Sequence, residues 1–424
     1  MTGSAAARSA VGVAGALVGV AAYHAMATTA TGSGAFFVAL GTGTIAYAAV
    51  VIALCYRTSA APIVIAVALI LAVVARVPLL TADIGDQSDI YRYLWDARVV
   101  RAGLNPYAVT PQSAAVAWLH TADTRRMNNQ DVPSPYPPAA QLFFAVVTLF
   151  VDSASGVRWV LAVCDVGVMA ALAVWLRSTR RSPAWVLAYA WHPLVIIETA
   201  REGHLDVAGV LIVLIAAIAA ARAAMGTATV LLAVATAFKL WPVVLAPLLW
   251  ARGRGRHAAV ATLVLAGFYL PFVWDGSPPL GSVVDVVRRF RFNSPVFDLL
   301  EQVAPAWPLT ALAVGAGLVT ACLQRHRSLG DPGAWAWPLA VTLLLSPMVY
   351  PWYLVWLVPF LGTRATLPLA VWSLSICSTY VVWAAARGGA AWRVPEWALV
   401  LEYGAFAVAA VWTATRRDPP GRPS

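Results

Sequence analysis

Charge is scarce in this chain: only 11% of its 424 residues are Asp, Glu, Lys or Arg, while 61% are hydrophobic. A soluble domain is about half apolar and a quarter charged, so a mean hydropathy of +0.75 excludes one. Lysine is almost missing, with Lys239 the single example among 29 basic residues. The four cysteines, Cys55, Cys164, Cys322 and Cys377, include no CxxC pair and sit in or beside apolar runs. That excludes a zinc ribbon or a disulfide framework and leaves them as packing residues. No repeat of fixed period is present, and no hydrophilic stretch is long enough to form a soluble domain.

What the sequence has instead is a succession of apolar runs near the roughly 20 residues that a bilayer-spanning helix needs. They lie at 10–28, 35–55, 61–80, 156–176, 183–200, 206–222, 258–274, 308–323, 334–349, 366–385 and 396–414. Shorter pieces at 226–239, 241–251 and 351–363 bring the expected count to about 11 to 14 helices. Open sheet edges cannot be satisfied in lipid. The fold class is therefore an all-α polytopic membrane protein. Arg8, the run after it and Ala25-Met26-Ala27 have the makings of a signal peptide, but a retained first helix is the reading adopted.

The net charge of +10 comes from arginines placed singly or in short groups at the ends of apolar runs. A nucleic-acid surface would need a continuous basic face, so no nucleic-acid partner is expected. With both termini in the cytoplasm, Arg57, Arg177, Arg180, Arg181, Arg222, Arg252, Arg254, Arg256, Arg325, Arg327 and Arg364 collect inside, as the positive-inside rule requires. This reading makes the 13-residue apolar run 139–151 a helix lying on the outer membrane surface rather than a crossing. It also requires a helix break at Lys239-Leu240-Trp241-Pro242, for which the proline is a physical cause.

The chain then divides into three N-terminal helices (1–80), an outer loop (81–155) with surface helices near 89–102 and 139–151, a bundle of short and broken helices (156–274), a second outer loop (275–307), the C-terminal helices (308–415) and a cytoplasmic tail (416–424). Ionisable residues concentrate in the outer loops. In DQSDIYRYLWD (86–96), Ser88 or Asp86 can cap a helix that Gly103 closes. On it Asp89, Arg92, Tyr93 and Asp96 follow i, i+3, i+4, i+7 spacing and share one face. Further along come SPYPP (134–138), ETAREGHLD (198–206), the lone Lys239, RRFRFN (288–293) and SPMVYPWY (346–353). The three arginines of RRFRFN run against the local topology signal, so an anionic lipid headgroup or a lipid-linked phosphate is a fitting partner. Asp165, inside a span, reads as a single acid with a buried hydrogen bond.

In this order, SDIYRYLWD, AGLNPY, YPPAAQLFF, WHPLVIIE with GHLD, FKLWP, FNSP and SPMVYPWYLVW resemble the polytopic GT-C glycosyltransferases, above all bacterial mannosyltransferase-like members. The resemblance covers about residues 75–360. It implies an enzyme of the cell membrane with an extracytoplasmic active site in the first outer loop. A sugar, mannose first, moves with inversion from a polyprenyl-phosphate donor to a glycan or glycolipid acceptor. Relatives often carry adjacent acids before the YRY, whereas Gln87-Ser88-Asp89 keeps only the second, which leaves both Asp89 and Asp86 as catalytic candidates.

On the residues themselves, departure of a phosphate monoester needs little acid help, and the acceptor hydroxyl needs a positioned base. Asp89 is placed first in that role and Asp86 second. Lys239, Arg201, Arg288, Arg289 and Arg291 are candidates for the donor phosphate; Tyr93, Asp96, His204, Asp206 and Tyr136 for sugar or acceptor contacts. No cofactor is expected. A divalent cation among Asp83, Asp86 and Asp89 is conceivable but not favoured, because a lipid-phosphate donor gives a metal less to do. The alternative is a transporter or flippase of lipid-linked saccharides, which would show repeated halves and ionisable groups near the bilayer midplane.

Overall fold

The computed structural model describes residues 2–56, 60–85, 88–250, 255–274, 276 and 279–416. Its regular elements are helical, and among the described residues the β-structure amounts to one isolated bridge, Phe292 to Met348. Helices α1 (Thr2–Met26), α2 (Gly34–Leu54) and α3 (Pro62–Leu80) open the chain. Two short helices of the first loop follow, α4 (Asp89–Arg101) and α5 (Pro138–Val147), and then the long α6 (Ala154–Ser178).

Next come α7 (Val186–Ala190), α8 (Pro193–Ile196), a π-helical turn (Ile197–Arg201), α9 (Asp206–Ala221) and α10 (Met225–Phe238). Beyond the break are α11 (Ala246–Trp250), α12 (Gly255–Tyr269), α13 (Val283–Arg289) and α14 (Pro295–Leu300). The C-terminal part holds α15 (Ala306–Gln324), α16 (Pro332–Leu344), α17 (Pro351–Leu354), α18 (Leu367–Ser375), α19 (Val381–Arg387) and α20 (Glu396–Thr415).

Among the described residues, seven helices are long and apolar enough to cross a membrane: Ala5–Met26, Gly34–Leu54, Pro62–Leu80, Ala154–Ser178, Ala306–Gln324, Arg364–Arg387 and Glu396–Thr415. The other apolar runs are shorter helices, and a count of 11 to 14 is reached only with them. The protein is multi-pass and all-helical. Its long outer helices keep apolar side chains on the surface, such as Ile45, Ile52, Ile63, Val400 and Val408, as lipid contact requires.

Local chemistry sets the boundaries. Ser33, Ser88 and Ser153 each accept a backbone N–H of the turn they start, capping α2, α4 and α6. Proline fills the first turn of α3, α5, α8 and α17, where its missing N–H costs nothing. Helix α10 stops at Phe238, Lys239 is extended (φ −153°, ψ 128°), and a 3-10 turn, Trp241–Leu245, begins with Pro242 inside it. Helix α5 buries Ala140, Gln141 and Phe144 against α4 and leaves Val146, with Leu149 and Phe150 beyond it, exposed. An apolar outer side suits a helix lying at a membrane surface.

Asp165 is not the lone acid that its apolar sequence surroundings suggest. Arg76 of α3 reaches across to it, Nε to Oδ2 at 2.5 Å, and the Tyr189 hydroxyl donates to its Oδ1 at 2.8 Å. Both members of the pair are buried. Arg76 and Asp165 lie 89 positions apart, so periodicity within either helix could not reveal the partnership. Removing one partner strands a buried charge. We expect Arg76→Leu to cost about 3–5 kcal/mol and to cut the yield of monodisperse protein on size exclusion. The double variant with Asp165→Leu should restore much of that yield.

Candidate active site

The loop between α3 and α6 begins the site. Ser88 accepts the Ile90 N–H at 3.4 Å, which puts Asp89 in the first turn of α4, where the helix dipole favours a negative charge. Asp89 keeps 26% of its side chain exposed, while most of α4 is buried. Its Oδ2 faces the His204 Nε2 across 3.9 Å.

His204 is delivered by an unusual local backbone. The helix after Pro193 widens into the π turn, with the Glu202 N–H bonded back to Ile197 O at 3.0 Å. Such insertions are frequent at functional sites. Gly203 then turns left-handed (φ +71°), and the His204 N–H returns to the Glu198 carbonyl at 2.8 Å. Left-handed glycine is the usual way to close a helix end. The turn lays the imidazole over Glu198, with Nδ1 2.7 Å from Oε2, and Glu198 also accepts the Tyr380 hydroxyl.

A Cβ on Gly203 would sit 2.7 Å from Arg158 Cγ and 2.9 Å from Ile90 Cδ1. Gly203→Ala therefore forces an αL strain and a clash at once. Its expected outcome is a lower melting temperature together with a fall in turnover, because the turn also aims His204.

Aromatic rings hold His204 and Lys239. Trp352 stacks on His204 with centroids 3.9 Å apart and planes at 15°, and Tyr350 covers the other side of Trp352 at 4.4 Å. Phe292 extends the pile beyond Tyr350 at 4.3 Å. The next residue along, Tyr353, lies under Lys239, whose Nζ is 4.5 Å from the ring centroid. Trp352 thus has both faces occupied. It serves as a support for His204 and is not a platform for a sugar ring.

Lys239 completes a second polar group. Its Nζ donates to Asp206 Oδ1 at 2.6 Å, and the Trp356 Nε1 donates to the same oxygen at 2.6 Å. Asp206 is buried at the start of α9, and its Oδ2 has no hydrogen-bond partner among the described residues. Burial pulls the His204 pKa down. The charge and hydrogen bond of Glu198, with Asp89 and Asp206, outweigh it and raise it above the ordinary histidine value. The carboxylates of α4 and α9 therefore act on one imidazole. Tyr93 closes the floor: its hydroxyl lies 3.5 Å from the Leu205 N–H, its ring stacks on Phe144, and Tyr136 meets it edge-on at 5.2 Å.

Asp89, Tyr93, Tyr136, His204, Asp206 and Lys239 are thus brought together. The other candidates lie elsewhere. Asp96 is buried beneath the loop, where Arg92 (Nε to Oδ1 3.0 Å), Ser134 and Gln141 (3.2 Å) hold it. Arg92 also donates to the Asn129 and Val132 carbonyls, so this pair shapes the loop 129–141. Arg201 is buried against the loop after α1, donating to Met26 O at 2.6 Å, to Thr29 O and to Thr31 Oγ1 at 3.1 Å.

Arg291 is doubly bonded to Glu301, Nε to Oε2 at 2.8 Å and Nη2 to Oε1 at 2.5 Å. Arg288 is exposed, and Arg289 pairs loosely with Asp285 at 3.5 Å beside an open cavity of about 220 Å³ that Asn129, Asp131 and Phe290 also line. Asp86 lies outside the described residues. Among those described, no three His, Cys, Asp or Glu side chains are grouped as metal ligands would be. The residues not assigned a role from sequence are Glu198, Trp352, Tyr353, Trp356 and Tyr380. The first three stand in segments singled out for composition and Trp356 in a motif of the resemblance, but their pairing is tertiary.

Residues 1–252 match the family model described as "Alpha-(1->6)-mannopyranosyltransferase, N-terminal domain", the MptA_B family. No curated protein matches the chain. A solved structure that is similar is the crystal structure of ArnT from Cupriavidus metallidurans bound to undecaprenyl phosphate. It is 16% identical, covers 83% of this chain and 74% of its own, and gives a TM-score of 0.43.

Proposed function

We propose, from the premise that this chain belongs to the alpha-(1->6)-mannopyranosyltransferase family, that this membrane glycosyltransferase takes mannose from a polyprenyl-phosphate donor. The observation that carries this reading is the convergence of one accessible carboxylate, Asp89, and one cation, Lys239, on a single cluster. They arrive from the first outer loop and from the broken end of α10, and both abut the adjacent pair Trp352 and Tyr353, Asp89 through His204 and Lys239 directly.

The acceptor hydroxyl is held by Asp89, which takes its proton as the oxygen bonds to the anomeric carbon. The bond from that carbon to the phosphate oxygen breaks, and its electron pair leaves with the lipid phosphate. Lys239, the single lysine, meets that anion; its bond to Asp206 keeps it extended toward the site until the phosphate shares it. A single displacement inverts the anomeric centre. Tyr136, partly exposed beside the buried Tyr93, offers a wall for the sugar. The positive-inside distribution of arginine favours the extracytoplasmic face for this cluster, with glycan or glycolipid as the acceptor.

The test uses purified protein in proteoliposomes with a radiolabelled polyprenyl-phosphate mannose or, in parallel, a nucleotide mannose. The reading expects label in the acceptor from the lipid donor alone. Equal or greater transfer from the nucleotide sugar would overturn the donor class.

A further inference from the structure

We infer that His204 works as an imidazolium whose role is to aim Asp89, one carboxylate oxygen being drawn to Nε2 and the other left open to the acceptor hydroxyl. This rests on the reading of Asp89 as the residue that takes the acceptor proton, and it makes His204 and Glu198 positioning residues that act through it.

Three contacts from three elements favour the charged ring. Glu198, on the π turn, sits 2.7 Å from Nδ1. Asp89, on α4, faces Nε2 at 3.9 Å. Trp352, on α17, lies flat on the ring at 3.9 Å, and an indole face attracts a cation. Among the remaining ionisable neighbours, the Arg158 guanidinium is engaged by the Leu79, Ala82 and Arg201 carbonyls. Asp206 on α9 adds a negative charge and carries Lys239 as its own counter-ion, and Glu202 is turned to Thr31 and Arg201.

A neutral imidazole would serve as a competing base and would leave the two carboxylates repelling each other across the ring. The protonated ring instead joins Glu198 and Asp89 in one line of alternating charge. The Glu198 carboxylate beside Nδ1 and the Trp352 ring flat on its face fix the ring plane, so Nε2–H has one direction in which to point. Asp89 sits in the first turn of a capped helix and can rotate about its own χ angles; His204 removes that freedom. Burial lowers the pKa of the ring and the surrounding carboxylates raise it beyond its ordinary value, so the ring discharges only on the alkaline side of it.

The sign of the pH dependence follows. As pH rises through the elevated pKa, the imidazolium fraction falls, Asp89 loses its anchor and turnover declines. The experiment is the pH profile of kcat and of the donor KM, from about pH 5 to 10, for wild type, Glu198→Gln and His204→Gln in the same vesicles. Wild type should show a descending alkaline limb in kcat. Glu198→Gln should keep a comparable maximum but carry that limb to lower pH. His204→Gln should lose the limb and about 10- to 100-fold of kcat, with donor KM changed less than about twofold.

A limb that Glu198→Gln does not move, or a wild-type rate that rises with pH over this range, would overturn the role. Should His204→Gln fail to fold, the displacement in Glu198→Gln decides alone. Full activity of an Asp89→Asn protein would instead sink the base assignment and leave the profile of His204 to be read separately.

Discussion

Asp89→Asn is expected to stop sugar transfer while leaving the protein intact: turnover should fall by about 10²- to 10⁴-fold, the usual reach of a lost general base, and the melting temperature should hardly move. The contrast follows from where Asp89 stands. Its side chain is partly open, and the Ser88 cap, not the carboxylate, fixes the start of α4. The substitution therefore removes one favourable charge at a helix N-terminus, a matter of about 0.3–1 kcal/mol. Asparagine is the same shape but accepts no proton at neutral pH. His204 keeps Glu198 and Trp352 in the variant, so the rest of the cluster has no reason to rearrange. Donor KM should stay within a few-fold, because Asp89 touches the acceptor and not the phosphate. A variant that is equally expressed, equally monodisperse and equally active would remove Asp89 from the reaction.

Lys239→Met is the second large effect, and it has two parts that a cycle can separate. Asp206 is 1% exposed, and Lys239 is its counter-ion at 2.6 Å. A buried acid stripped of its partner costs about 3–5 kcal/mol. The single variant is thus expected to lose both stability and donor binding. Lys239→Met with Asp206→Asn removes the stranded charge, and it should recover the melting temperature while donor KM stays raised and turnover low. Recovery of both would make Lys239 a structural counter-ion only. The lysine is held over Tyr353 as well as beside Asp206, so arginine at this position has the charge but a longer, planar head. Lys239→Arg should accordingly retain the fold and only part of the affinity for the lipid phosphate.

Much of this site is legible in the amino-acid sequence, and the legible parts share a cause. The start of α4 at Ser88, the place of Asp89 and Tyr93 on it, its close before Gly103 and the break at Lys239 all follow from capping, helical spacing and proline geometry. These are local rules that read a few neighbouring residues. The partners across the bundle are not legible in this way. Asp165 finds Arg76, His204 finds Trp352, and Asp206 finds Trp356 150 positions away, because packing of broken helices chooses them. The same limit explains Arg201. Its charged segment marks it as a phosphate candidate, whereas its guanidinium lies against carbonyls of the loop after α1. Spacing puts Arg92 and Asp96 on one face with Asp89, but burial divides that face: the first two hold the loop and the third meets His204.

The family assignment and the helical fold agree with the reading from sequence motifs. A transporter of lipid-linked sugars would place its ionisable groups near the midplane of repeated halves. Here Asp89, the accessible acid of the cluster, belongs to the loop between α3 and α6, near the short helix α5, whose Val146 is exposed.

The central claim is one direct displacement by an acceptor hydroxyl whose proton goes to Asp89. The measurement that tests it most directly is the anomeric configuration of the new linkage, read by NMR from the product of a lipid-phosphate mannose of known configuration. Inversion in every product molecule is what a single carboxylate acting on the acceptor predicts. Retention would require a covalent sugar intermediate, with a carboxylate attacking the anomeric carbon, and would contradict the account.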